Sequence, residues 1–303
     1  MIEQDATLEI DGVRIPGRIA WPNGVVRAAV LLLPGSLFSD VDGDYPMWNA
    51  RPHTLRDLAH QFAARGVVSM RQAKIGPGTG SETVDAEKAK AHQRFVNRVA
   101  VARAALEHLR GEAPGVPIFV AGHSEGAVVA SLLGAEPDVR LDGAVSLSGP
   151  ALRLFDVMRG QTFDMMGGAS DMAAFDRAVA SLRANATLPE EAKSNPTLAG
   201  IANMPAAALE FIAQIDAVDP CAEIAKVKHR MLLVQGGRDL SVTPEQVDQL
   251  AAARAGLPTE IARFPELQHM YKRAPAGLDQ MQSFMLSDES DPAVVEAIVT
   301  WMV

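Results

Sequence analysis

Residues Gly122-His123-Ser124-Glu125-Gly126 set a serine between two glycines, directly after the apolar run VPIFVAG. A serine at a sharp strand-to-helix turn, flanked by residues too small to obstruct it, can present its hydroxyl as a nucleophile. A hydroxyl needs a base to take its proton, and the base needs an acid to fix its tautomer. Seven histidines are available, of which only His229 and His269 follow Ser124. His229 opens the strand-like run HRMLLVQGG, at the wrong end of that strand. His269, in the loop PELQHMYK, is therefore the candidate base. Asp239 follows MLLVQGG, where a strand would deliver it to the same edge as Ser124, and is the candidate acid. Asp216 and Asp219 are rivals that precede this strand. Taken singly, the serine reads as a glycine-rich turn, Asp239 as a helix cap and His269 as a surface histidine. The order serine, acid, histidine across three separate placements favours the chemical reading.

Acyl transfer also needs donors for a developing oxyanion. One is expected from the backbone N–H of Glu125, at the start of the helix that follows the nucleophile. The other is expected from the loop after AAVLLLPGS: the N–H of Ser36, with Leu37 as the one-residue alternative. Asp40 and Asp42, in DVDGD, have the spacing of a cation site, but loop and cap carboxylates are the preferred reading.

The elements that position these residues alternate in type. ATLEI and VRIPGRIAW, joined by Asp11-Gly12, predict a hairpin. AAVLLL, GVVSMR, VPIFVAG, LDGAVSLSG, HRMLLVQGG and EIARF predict strands. Helical patterns fall between them, near residues 54–65, 86–110, 125–133, 244–255 and from 292 to the end. Such alternation specifies an α/β fold, a mostly parallel sheet flanked by helices. Residues 150–225 interrupt it with helical segments and no strand-like run. They predict an α-helical cap inserted between two parts of one core, residues 1–149 and 226–303. Five of the thirteen methionines lie in the cap, as its own core or as the wall of an apolar pocket facing Ser124.

The bulk properties narrow the function classes. A net charge of −9 disfavours nucleic-acid and anionic-membrane partners. The single cysteine, Cys221, allows neither an intrachain disulfide nor a thiolate metal cluster. The N-terminus MIEQDATLEIDG is acidic where a signal peptide would be basic, and the apolar runs are too short to span a bilayer, so a cytoplasmic protein is expected.

The chain resembles bacterial serine carboxylesterases of the α/β-hydrolase superfamily, in the EstD-like group related to dienelactone hydrolases. The resemblance rests on PGSLFSDVDGD, GHSEGAVVASLL, LSGPALRLFDVMRGQ, DPCAEIAKVKHRMLLVQGGRDLSVTP and FPELQHMYKRAP. It implies Ser124 as nucleophile, Asp239 as acid, His269 as base and Ser36 in the oxyanion loop. The chain departs from the group at Pro34, where histidine is usual, and at Leu37-Phe38. It departs again at Ala73-Lys74-Ile75, where the group carries Asp-x-Arg. The expected activity is hydrolysis of small to medium uncharged esters through an acyl-enzyme, with no metal or organic cofactor required. Thioester hydrolysis, acyl transfer and peptide hydrolysis use the same three residues, and a non-catalytic ligand-binding module is the reading from another class.

Overall fold

A computed structural model describes every residue of the chain except Ala276. The exposed, polar β1 (Ile2–Asp5) is a strand that no pattern predicted. The predicted strand runs become β2 (Gly17–Trp21), β3 (Ala28–Leu33), β4 (Val67–Gln72), β5 (Ile118–His123), β6 (Gly143–Leu147), β7 (Met231–Gly236) and β8 (Thr259–Phe264). They form one sheet in the order β1-β2-β4-β3-β5-β6-β7-β8. Strand β2 is antiparallel to both of its neighbours, and every pair from β4 to β8 is parallel. Every residue of β3 to β7 is buried, including the polar Ser69, Arg71 and Gln72 of β4, so the sheet is covered on both faces. The edge strand β8 is largely exposed and carries Glu260 and Arg263, charges that discourage pairing with another sheet.

The helices used below are α1 (Thr54–Ala64), α2 (Val96–Glu112), α3 (Glu125–Gly134), α4 (Leu154–Met166), α5 (Met172–Asn185), α6 (Ala206–Asp216), α7 (Gln246–Ala253) and α8 (Pro292–Met302). The two-residue period of the strands divides the core. Val30, Leu32 and Phe119 point to one face, under Leu58 and Phe62 of α1 and Val295 and Ile298 of α8. Leu31, Val120 and Leu233 point to the other, under Leu106 of α2, Leu133 of α3 and Leu250 of α7.

Two local expectations change. VRIPGRIAW is not one strand: Val13–Ile15 pairs with Leu8–Ile10 in a small separate sheet, while Gly17–Trp21 enters the main one. Pro16, with no N–H to give a ladder, marks the division. The helix expected over 86–110 is broken as well. Asp85 caps a short turn, Arg94 is extended, and α2 begins only at Val96. Phe95 is buried at the break, and its N–H donates to Gln214 Oε1 at 2.9 Å, a tertiary bond that local periodicity does not reveal.

Between β6 and β7 the chain is helical. Phe155, Phe175, Leu182 and Leu209 form a separate small core with Met158, Met172 and Met204 against it. Gln161 on α4 donates to the carbonyl of Ser241 at 3.0 Å, so α4 lies beside the loop that leaves the C-terminal end of β7. Among the described residues no single helix is long and apolar enough to cross a membrane.

Candidate active site

Ser124 sits between the last residue of β5 and the first of α3, with φ 54° and ψ −120°. A side chain in that region costs about 1–3 kcal/mol, so the surroundings must enforce it. The Ser124 N–H donates to Leu147 O at 2.8 Å, and its carbonyl accepts from Ala127 N–H at 2.9 Å. The flanking glycines are required by close approach. A Cβ on Gly122 would lie 2.0 Å from Gly126 O, and one on Gly126 would lie 2.5 Å from Leu33 O. The turn therefore closes only with glycine at both positions, and the serine side chain is left standing clear of it.

The loop after β3 runs against this turn, since a Cβ on Gly35 would come within 3.3 Å of Ser124 Cβ. Ser36 and Leu37 follow directly, and neither N–H has a hydrogen-bond partner among the described residues. Leu37 is left-handed at φ 66°, which turns the chain away after Ser36. The Glu125 N–H belongs to the first turn of α3, where helix donors have no internal acceptor. Free main-chain donors thus flank the serine from two sides, which suits a developing negative charge.

Asp239 and His269 meet across thirty residues. Asp239 Oδ2 lies 2.8 Å from His269 Nδ1, while Oδ1 accepts the N–H groups of Ser241 and Val242 at 2.9 and 2.8 Å. Burial alone would raise the Asp239 pKa. The charge and hydrogen bond of His269, with the Val242 N–H, more than offset this and hold it below the ordinary carboxylate value. An ionised carboxylate only accepts, so Nδ1 of His269 carries the proton and Nε2 keeps its lone pair for the base role. The rivals are spent elsewhere. Asp216 accepts from Arg153, Arg183 and the Phe155 N–H inside the helical insertion, and Asp219 caps the short helix Pro220–Ile224. His229 lies before β7, where its carbonyl accepts from Arg254. Asp40 and Asp42 also hold loops: Asp40 accepts two N–H groups of its own turn, and Asp42 pairs with the buried Arg71.

Two residues escaped the sequence reasoning. His123 precedes the nucleophile and is not a candidate base by chain order, yet its Nε2 donates to the His269 carbonyl at 2.9 Å. Its ring lies 4.6 Å from that of His269. Burial, and then the proximity of His269, push its pKa down to about 3, so it stays neutral. Lys74 lies where the resemblance expects the middle of Asp-x-Arg. Ala73 is buried in the core and Ile75 packs against it, while Lys74 Nζ reaches Glu125 Oε1 at 2.7 Å with both side chains buried. A lysine two residues after a buried strand was the available signal. A narrow cleft adjoins His269, walled by Leu240, Met270, Phe284, Ser241 and Gln280.

Residues 53–273 match the family Hydrolase_4, serine aminopeptidase, S33. This is the broad family and not specifically the EstD-like group. Solved structures share the fold. An esterase of Pyrococcus furiosus is 16% identical, with 89% of this chain and 83% of its own covered and a TM-score of 0.55. Est1E from Butyrivibrio proteoclasticus is 14% identical over 98% of this chain and 97% of its own, with a TM-score of 0.58. A thermostable carboxyl esterase from Bacillus coagulans is 14% identical over 87% and 90%, with a TM-score of 0.54. No curated protein matches the sequence.

Proposed function

The chain belongs to the serine aminopeptidase S33 family of α/β-hydrolases, and from that premise we propose that it hydrolyses carboxylic esters of small to medium acyl chains through an acyl-enzyme. The observation that carries the proposal is the Asp239–His269 hydrogen bond at the strand edge where Ser124 stands in its strained turn. Ser124 Oγ attacks the ester carbonyl while His269 Nε2 takes the hydroxyl proton, and Asp239 stabilises the imidazolium. The carbonyl oxygen becomes an oxyanion held by the N–H groups of Glu125 and Ser36. His269 returns the proton to the leaving alkoxide as the tetrahedral intermediate collapses. Water, deprotonated by the same Nε2, then attacks the acyl-enzyme, and the proton passes to Ser124 Oγ as the acid is released.

Leu240, Met270 and Phe284 in the cleft beside His269 favour uncharged acyl or alcohol groups. The same wall bears on the second reading, aminopeptidase activity, which the family description favours. An aminopeptidase needs a carboxylate to hold the substrate ammonium. Beside His269 the cleft offers Ser241, Gln268, Gln280 and Ser283 as its polar groups, and among the described residues no carboxylate lines it. A panel of nitrophenyl esters of graded acyl length, run beside aminoacyl nitroanilides and acyl thioesters, tests the proposal. Turnover of short and medium esters well above the other classes is expected. Preferred cleavage of the anilides would overturn it.

A further inference from the structure

A second cleft opens between the end of β4, the start of α2 and the first turn of α3, with about 490 Å³ of space including its open mouth. It shares no lining residue with the cleft beside His269. Its walls carry charges that ester hydrolysis does not use. Among the described residues Lys74 Nζ has a single acceptor, Glu125 Oε1. The Arg98 guanidinium lies over the Phe211 ring at 5.5 Å and has no hydrogen-bond acceptor among the described residues. Burial lowers its pKa, but a guanidinium remains charged in a protein. Asn97 Nδ2, on the adjacent residue, is buried with no partner among the described residues. Arg94, exposed, lines the mouth. On the acceptor side, Gln72 Oε1 and His92 Nδ1 are buried and have no partner among the described residues. His92 Nε2 donates to the Ile10 carbonyl at 3.2 Å, so Nδ1 presents a lone pair.

Unmade hydrogen bonds and unbalanced charge in one enclosure are costly unless something fills it. Of the ionic groups inside the mouth, buried Lys74 and half-buried Arg98 are positive and buried Glu125 is negative, which leaves one positive charge over. A monoanion balances that charge, whereas a dianionic phosphate would reverse it. A carboxylate also matches the planar fork of a guanidinium, with the Asn97 amide as a third donor. We propose that this cleft is a binding site for a small monocarboxylate, held by Arg98 and Asn97 beside the Lys74–Glu125 pair. Gln72 and His92 accept from the waters that enter with the ligand.

The test is calorimetric titration of propionate into the Ser124→Ala protein, with chloride as the ionic-strength control. Binding is read without turnover, so the result stands whether or not the chain is an esterase. One saturable site is expected. Arg98→Gln and Asn97→Asp, each added to Ser124→Ala, should weaken it at least about tenfold, the loss of a charge-assisted hydrogen bond. Thermal melts show whether each variant is folded, and the two act on separate side chains. Absence of saturable binding, an affinity unchanged by both substitutions, or tighter binding of inorganic phosphate than of propionate would overturn the proposal.

Discussion

His123 donates its Nε2–H to the main-chain carbonyl of His269 across 2.9 Å, so the residue before the candidate nucleophile anchors the loop that carries the candidate base. A carbonyl can only accept, which fixes the His123 tautomer, and burial keeps the ring uncharged. The serine turn and the histidine loop are thereby held in one geometry by a bond that transfers no proton. Replacing His123 with Phe keeps a ring in the space and deletes the donor. The expected outcome is a fall in kcat of about 10²-fold, the cost of a misplaced base, with little change in KM. Steady-state kinetics on a nitrophenyl ester measure it. A variant with parental kcat would show that the tether does not position His269.

Ser124→Ala and Ser124→Gly should both lose ester hydrolysis by about 10⁶-fold, as removal of a serine nucleophile does. They should differ in stability. Alanine keeps a Cβ at φ 54° and ψ −120°, while glycine is at ease there. Ser124→Gly should therefore be the more stable of the two by about 1 kcal/mol or more. Urea midpoints of the two variants decide, and equal midpoints would mean that the turn stores no strain.

Asp239 and Asp216 are both buried aspartates with several donors, and they should fail differently. Asp239→Asn keeps shape but disfavours the His269 tautomer that leaves Nε2 free, so turnover should drop by about 10⁴-fold in a protein that still melts cooperatively. Asp216→Asn leaves Arg153 and Arg183 without their shared carboxylate inside the helical insertion. Its main effect should be a lower melting temperature, with activity largely kept below that temperature. Melts and kinetics on matched samples separate the two. A collapse of activity in well-folded Asp216→Asn, with Asp239→Asn near the parent, would reverse the assignment.

Lys74 should leave a mark on stability above neutral pH. Burial lowers its pKa from 10.5 to about 8, against the opposing pull of Glu125. Between these values the unfolded chain holds a proton that the folded chain has released. Stability contributed by this group therefore rises with pH through that window, and the penalty for the buried charge is complete below it. The shift corresponds to something on the order of 3 kcal/mol. Measured by urea unfolding from pH 7 to 10.5, the parent should gain on Lys74→Met as pH rises. Parallel curves would mean that Lys74 titrates normally.

The serine turn was legible because its cause is local. Gly122 and Gly126 are the residues that a close backbone crossing demands, and the apolar run before them can only be a strand. Most of the buried strands were legible for the same reason: short apolar runs bounded by turn residues fit a sheet covered on both faces. Asp239 and His269 could be chosen by order along the chain, but their 2.8 Å approach depends on β7 and β8 lying side by side. The break between Asp85 and Val96 was hidden, because a buried Phe95 and its bond to Gln214 override a helical pattern with neither proline nor glycine in it. Hidden too were the roles of His123 and Lys74. His123 Nε2 bonds a carbonyl 146 residues away, and Lys74 pairs with a carboxylate 51 residues away. Sequence alone determined which residues have the chemistry to act and the order in which strands carry them. Tertiary structure decided which buried polar groups find one another, since desolvation makes such partners obligatory while spacing along the chain does not name them.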